Sequence, residues 1–181
     1  MKKLNSIIKS CNVTAYGFPA FKGLEDRSNQ NGDPVIVSTL SAAVMADMGI
    51  DTYYSPIIPR GTIFNTTEEV IAADLDTNEV RVEHVADLPN NAPVIIASQH
   101  PGTVAMLQDM YPNNTVFSSV TPDNIRGKDV VGALPPHLIQ YASSFRAVAI
   151  DGYDNTKDKD IDGEELKRRM IFTNTVRVTI V

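Results

Sequence analysis

The clearest hydrophobic pattern in this 181-residue chain lies between residues 93 and 138. It begins with four apolar residues at 94–97 (VIIA), a run that is typical of a strand buried on both faces. The polar turn 98–102 (SQHPG) follows at once, and apolar residues then recur at helical spacing from Val104 to Met110. The pattern therefore predicts a strand, a turn and a helix, which together begin a βα unit.

Further strands are predicted downstream by the same reasoning. Apolar runs at 115–120, 129–134 and 146–150 have the length and the β-branched content of strands. The residues between the first two runs, 121–124 (TPDN), favour a helical turn or a loop. This half of the chain therefore alternates strands with short helical segments, as a parallel α/β sheet requires.

Turns follow three of the predicted strands, at 98–102, 134–137 and 151–152. The carboxyl ends of parallel strands share one edge of a sheet, and open α/β sheets bind ligands in the crevice beyond that edge. Gly132 allows the backbone to approach a neighbour closely just before the second turn. If the strands are parallel, His100 and His137 lie at the same edge and face one crevice.

The first half of the chain repeats part of this order. Residues 34–55 can be aligned with residues 93–118 as apolar strand, small polar turn, Met-containing helix and aromatic strand, with four extra residues in the later segment. An internal duplication and two βα units that converged on one pattern both remain open. The period-two pattern of 79–85 and 173–181 predicts strands, and Asn65 or Thr66 is expected to cap a helix.

The predicted fold class is α/β, Rossmann-like, with a mainly parallel sheet flanked by helices and, in one interpretation, two related βα halves. We expect an N-terminal strand and loop at 1–33, a first α/β half at 34–92 and a second at 93–181. These segments are expected to pack as one compact unit.

Composition narrows the functional classes. The chain is 43% hydrophobic and 21% charged, as in ordinary globular proteins, and no apolar run approaches the ~20 residues of a membrane helix. The basic N-terminus lacks an unbroken apolar stretch, so it is a poor secretion signal and a cytoplasmic location is expected. A net charge of −6 argues against gripping long nucleic acid, whereas a small anionic ligand needs only a local pocket.

The sequence predicts neither a metal centre nor a cofactor. Its three histidines are far apart in sequence, and the single cysteine, Cys11, excludes an internal disulfide. Residues 158–163 (DKDIDG) match the first half of a calcium-binding EF-hand loop, but Arg169 stands where that loop needs a bidentate glutamate. We therefore expect no calcium site, and interpret Asp162 and Glu165 as a capping pair for a short helix.

A set of short motifs carries a family resemblance. HPG at 100–102 is followed by TPDNIRGKDVVGALPPHL at 121–138, by a strand that ends in Asp151, and by the charged tail KDKDIDGEEL at 157–166. This order resembles a family of small CRISPR-associated, ring-nuclease-like proteins of type III systems, which also occurs in phages and mobile elements. The resemblance covers residues 93–170. One departure is Gln99, since the resemblance leads us to expect an arginine before the HPG triplet.

The resemblance implies a function in CRISPR signalling or in anti-defence, within a bacterial or phage-infected cell. The expected ligand is a cyclic oligoadenylate second messenger, bound and slowly cleaved without a metal by attack of a ribose 2′-hydroxyl on the adjacent phosphate. His100 and His137 are the expected acid–base residues, although each is equally well explained as a satisfied turn residue that caps a helix. The expected ligand-binding residues are Ser98, Gln99, Gly102, Thr103, Lys128, Gly132, Leu134, Pro135 and Asp151.

Gln99 bears on whether this site cleaves its ligand. A neutral amide lacks the charge-assisted contact of an arginine, which favours binding over turnover. A symmetric ligand suggests a homodimer, with no long nucleic acid and no membrane as partner. Two alternatives remain: a non-catalytic sponge that holds the messenger, and a protein-interaction role for the first half. A Ser98–His100–Asp151 hydrolase is disfavoured because the glycines of a nucleophile elbow are missing.

Overall fold

The computed structural model describes residues 1–154 and 156–181. Strands occur as follows: β1 Lys2–Lys3, β2 Cys11–Tyr16, β3 Asp33–Ser38, β4 Thr52–Pro56, β5 Asp76–His84, β6 Val94–Ala97, β7 Asn114–Phe117, β8 Asp129–Gly132, β9 Ser144–Ile150, β10 Met170–Phe172 and β11 Val176–Ile180. Helices occur as follows: α1 Leu4–Ser10, α2 Pro19–Lys22, α3 Leu24–Arg27, α4 Ala42–Asp47, α5 Thr67–Ala73, α6 Pro101–Met110, α7 Pro122–Ile125, α8 Pro136–Ile139 and α9 Gly163–Arg169. The fold is α/β, with mixed but mainly parallel strands flanked by helices, as the sequence predicts.

The chain forms two compact units. Unit 1 contains Met1–Leu40, Gly49–Val82 and Thr179–Val181, and unit 2 contains Ser41–Met48 and Glu83–Val178. Each unit therefore takes residues from more than one stretch of the sequence. The expected segments 1–33, 34–92 and 93–181 stay a prediction.

Unit 1 is built on a four-strand core. Strands β2, β3 and β4 are parallel neighbours, and β5 runs antiparallel to β4. Helix α1 was not predicted, because Ser6, Lys9 and Ser10 interrupt the apolar run in the sequence. The remaining apolar residues recur at helical spacing, so Leu4 and Ile7 fall on one buried face of the helix. Thr66 is the cap of α5, since its side chain accepts a hydrogen bond from the Glu69 N–H.

Unit 2 carries a parallel sheet that continues into two antiparallel strands. Strand β6 lies between β7 and β8, and β8 lies between β6 and β9, with all four parallel. Strands β10 and β11 are both antiparallel to β9, and β10 was not predicted. All four residues of β6 are buried, as expected for a strand covered on both faces.

The register of these strands fixes where their turns lie. Ala97 pairs with Gly132, and Gly132 pairs with Ala147, so β6, β8 and β9 end on the same side of unit 2. The turns that contain His100 and His137 therefore share one edge of the sheet, and the predicted positions of these turns are confirmed. We call this the carboxyl edge of unit 2.

The two aligned segments form the same local structure. Strands β3 and β4 are parallel, as are β6 and β7, and a helix follows the first strand in each case. Helix α6 has ten residues and α4 has six, which matches the four-residue excess of the later segment. Helix α4 nevertheless belongs to unit 2 while β3 and β4 belong to unit 1. Duplication remains a hypothesis.

Gly132 is the point of closest approach between β6 and β8. Its φ is +131°, and a Cβ at this residue would lie closer than 3.0 Å to the Ala97 carbonyl oxygen. That oxygen accepts a hydrogen bond from the Ala133 N–H at 2.8 Å, so it cannot move away freely. The need for glycine here is both conformational and steric.

We predict that Gly132→Ala lowers the free energy of unfolding by about 2 kcal/mol or more, because it adds a clash to an unfavourable φ. Gly127→Ala is the matched control, since Gly127 has a φ of +67° and open space around it. Urea unfolding measures both variants. Equal losses would mean that the contact with Ala97 adds nothing to the backbone strain.

Candidate functional site

The carboxyl edge of unit 2 gathers most of the residues that the sequence singles out. Ser98, Gln99, His100, Gly102 and Thr103 follow β6; Gly132, Leu134, Pro135 and His137 lie at the end of β8 or just after it; and Asp151 follows β9. Lys128 is the exception. It immediately precedes β8, so it lies at the amino end of that strand, at the opposite edge from the other residues expected to bind the ligand.

His100 is the cap of α6, and its ring is fully engaged. Its Nδ1 accepts a hydrogen bond from the Thr103 N–H at 3.1 Å. Its Nε2 lies 3.2 Å from the carbonyl oxygen of Asp158, which can only accept. Because Nδ1 accepts from an N–H, Nε2 is the ring nitrogen that donates, and its acceptor is the Asp158 carbonyl oxygen. The helix-capping interpretation of His100 is thus the one that its contacts match.

The backbone at Gly102 and Thr103, two of the expected ligand-binding residues, is also covered. The Thr103 N–H donates to His100, and a Cβ at Gly102 would lie closer than 3.0 Å to the carbonyl oxygen of Ile161. Leu166, which is fully buried, borders the same glycine. The start of α6 therefore packs against the chain near Ile161 and does not face an open cradle.

The part of the chain that covers the start of α6 comprises residues 151–154 and 156–169, which we call the covering segment. Arg169 holds it together. Its Nη1 and Nη2 donate to the two carboxylate oxygens of Asp158 at 2.9 and 2.7 Å. It also donates to the carbonyl oxygens of Asp151 and Gly152, each at 2.9 Å. One guanidinium thus ties the start of the covering segment to its end.

Asp158 joins this ion pair to the histidine. Its carboxylate accepts hydrogen bonds from the Arg169 side chain and the Asp154 N–H, while its carbonyl oxygen contacts the His100 ring. The hydrogen bonds from Arg169 and from the Asp154 N–H lower the pKa of Asp158 to about 2, well below its usual value near 3.8. Asp158 is therefore a carboxylate at neutral pH.

His137 and Gln99 differ from His100 in being open to solvent. Both are exposed at the carboxyl edge, whereas Leu134 and Leu138, on either side of His137, are buried. Helix α8, which contains His137, has only four residues. A ligand would therefore reach the His137 ring and the Gln99 amide more readily than the His100 ring.

The contacts around Ser98 exclude a Ser–His–Asp arrangement in this conformation. The Ser98 hydroxyl accepts from the backbone N–H of His100 at 3.2 Å, while the imidazole contacts Thr103 and Asp158. The carbonyl oxygen of Asp151 accepts a hydrogen bond from the Arg169 side chain, and the Asp151 N–H donates to the carbonyl oxygen of Arg169. A nucleophile, base and orienting acid are thus not aligned.

In the segment that resembles a calcium loop, an arginine side chain binds the first aspartate. Arg169, at its twelfth position, binds the carboxylate of Asp158 at its first. Within residues 1–154 and 156–181, no group of three or more His, Cys, Asp or Glu side chains is arranged to hold a metal ion. Asp162 precedes α9 as expected, but its side chain makes no capping hydrogen bond, so the capping pair with Glu165 is wrong.

Sequence reasoning missed Asp158, Arg169 and Tyr153 as parts of this site. Tyr153 meets the His100 ring edge-on, with ring centroids 5.9 Å apart. A signal for the ion pair was present, because an arginine at the last position of an acidic loop is complementary to the aspartate at its first. The contact with His100 had no such signal, since Asp158 and His100 are 58 residues apart.

Comparison with known proteins yielded no matching family model, curated protein or solved structure. In the described part of the chain, no helix has the length and apolar character needed to cross a membrane.

We predict that His100→Ala lowers the free energy of unfolding by about 1–2 kcal/mol, because it removes the cap of α6 and the contact with Asp158. His137→Ala is the control and should change it by less than about 0.5 kcal/mol, since His137 is exposed. Urea unfolding at neutral pH measures both. A similar loss in the two variants would contradict the capping role.

A second prediction follows from the lowered pKa of Asp158. A carboxylate whose pKa is lower in the folded protein stabilises the fold above its unfolded pKa, and this stabilisation is lost as pH falls towards its folded pKa. The stability difference between wild type and Asp158→Asn should therefore be constant above about pH 5 and shrink between pH 4 and pH 2. Urea unfolding across this range measures it, and a difference that does not depend on pH would contradict the ion pair.

Proposed function

We propose that this protein binds a cyclic oligoadenylate second messenger at the carboxyl edge of unit 2 and cleaves it slowly, without a metal. The supporting observation is the convergence of three strand-end turns, those after β6, β8 and β9, on one edge. This is where open α/β sheets bind their ligands. The ligand class is proposed from the order of the motifs over residues 93–170.

The state of His100 favours holding the ligand over cutting it. Cleavage by 2′-hydroxyl attack needs a group that can take up or release a proton near the reacting atoms. Both ring nitrogens of His100 already have partners within the protein. His137 is the exposed alternative, and as a solvent-facing residue on a four-residue helix it is less firmly oriented.

Gln99 also favours binding of the ligand over its cleavage. It is exposed beside the His100 turn, where its amide can donate a hydrogen bond to a phosphate oxygen. It carries no charge, so it stabilises the extra negative charge of the transition state less than an arginine does. Binding with slow turnover follows, and in the limit of no turnover the protein is a sponge. A symmetric ligand suggests a homodimer. We place this function in the cytoplasm.

A protein-interaction role is the second candidate, and one feature of unit 1 favours it. Phe18 and Ile63 are 55% and 80% exposed. They precede Phe21 and Phe64 in sequence by three residues and by one, and the rings of Phe21 and Phe64 pack edge-to-face with centroids 6.1 Å apart. Exposed apolar side chains offer a partner protein apolar surface to cover, and this supports the second candidate.

We predict that cyclic tetra-adenylate raises the melting temperature of wild type and is recovered mainly intact, because a ligand that binds only the folded form stabilises it. Gln99→Arg should speed cleavage about tenfold or more by adding a charge-assisted contact. Thermal-shift scans with cyclic tri-, tetra- and hexa-adenylate measure binding, and chromatography of the nucleotide measures cleavage. Gln140→Arg is the charge-matched control.

These measurements separate the candidates. Binding without products supports a sponge, and binding with products supports a ring nuclease. If no cyclic oligoadenylate shifts the melting temperature of wild type or of Gln99→Arg, the proposal is wrong and the protein-interaction candidate replaces it.

A further inference from the structure

Arg169 stands at the carboxyl edge with the geometry of a phosphate-binding residue. Its guanidinium faces the Asp158 carboxylate through two parallel hydrogen bonds of 2.9 and 2.7 Å. The same planar fork is what an arginine presents to two oxygens of a phosphate. Carbonyl oxygens of Asp151 and Gly152, directly after β9, hold the guanidinium in place. The residue is therefore oriented before any ligand arrives.

The anion that Arg169 binds is part of the protein, and it lies beside the other site residues. Asp158 contacts Arg169 through its carboxylate and His100 through its carbonyl oxygen. A phosphate in the place of that carboxylate would thus lie close to the turn that contains His100, because Asp158 contacts both groups. The side chains of Asp158 and Arg169 are 13% and 21% exposed, so the pair lies just beneath the surface.

We propose that Arg169 is the phosphate-binding cation of this site and that the Asp158 carboxylate is an internal stand-in, which a ligand phosphate displaces. The inference rests on the proposed function and adds to it the residue that contacts the ligand phosphate. It also accounts for Gln99: the site has a cation, supplied from α9 in place of the turn before HPG. Displacement of Asp158 moves the covering segment away from the start of α6.

Exchange of one anion for another explains how the ligand gains access. The Arg169 side chain is only 21% exposed, and its second carboxylate, Glu165, lies farther away at 3.9 Å, so releasing Asp158 takes away its close anionic partner at a cost in stability. Asp158 supplies this partner in the free protein, and a phosphate supplies it in the complex. The cost of releasing Asp158 lowers the affinity for the ligand, because only the fraction of molecules with a free Arg169 binds it. Removing the Asp158 charge should remove this cost.

The test uses pyrophosphate and cyclic tetra-adenylate as separate probes, titrated by calorimetry into the full chain. Asp158→Asn keeps the shape of the side chain and removes its charge, so it should bind pyrophosphate at least tenfold more tightly than wild type. Adding Arg169→Gln to Asp158→Asn should abolish this gain. Arg168→Gln in the same background is the matched control, since Arg168 is exposed and pairs with Glu165. It should leave the gain intact.

Each outcome has one meaning. A lower melting temperature of Asp158→Asn without tighter pyrophosphate binding shows a purely structural ion pair and overturns the inference, whatever wild type does with cyclic tetra-adenylate. Tighter pyrophosphate binding that depends on Arg169, with no binding of any cyclic oligoadenylate, supports the inference and refutes the proposed function.

A second measurement covers the case in which Asp158→Asn fails to fold. Saturating pyrophosphate should shift the Arg169 Nε–H resonance in the NMR spectrum of wild type, and the Arg168 resonance should stay unchanged. An unshifted Arg169 resonance overturns the inference.

Discussion

The two hydrogen bonds between Arg169 and Asp158 tie the end of α9 to a residue 11 positions earlier in the chain. Arg169 ends α9, and Asp158 lies in the loop that precedes it. Through the carbonyl oxygen of Asp158 the same pair reaches His100, at the end of β6. The ion pair thus lies next to the cap of α6, and Ile161 and Leu166 of the same covering segment border Gly102.

These contacts shape what the site can do chemically. Both nitrogens of the His100 imidazole have partners within the protein, so neither faces an open ligand site in this conformation. The covering segment lies over the start of α6 and supplies one of the partners of the His100 ring. Gln99 and His137, in contrast, are exposed at the same edge.

Both aligned segments run strand, helix, strand, but the residues singled out as a candidate site occur only in the later one. There the turn after β6 contains His100, and the ten-residue helix α6 begins there. In the earlier segment Ser41 caps the shorter helix α4 with its side chain, which accepts from the Val44 N–H at 3.4 Å. The same local fold thus supports a simple helix cap in one place and a covered, histidine-containing turn in the other.

The sequence by itself determined the α/β class, most of the strands and the shared edge of the turns after β6, β8 and β9. It did so because buried parallel strands require uninterrupted apolar runs, and because Gly132 has little use at a strand end except to permit close approach. It missed α1 and β10, whose patterns are short or interrupted. Only the tertiary structure decided the partners of His100, the position of Lys128 at the opposite edge and the ion pair that closes the covering segment. Hydrophobic periodicity is local, whereas a hydrogen bond between residues 58 positions apart exists only after the fold has brought them together.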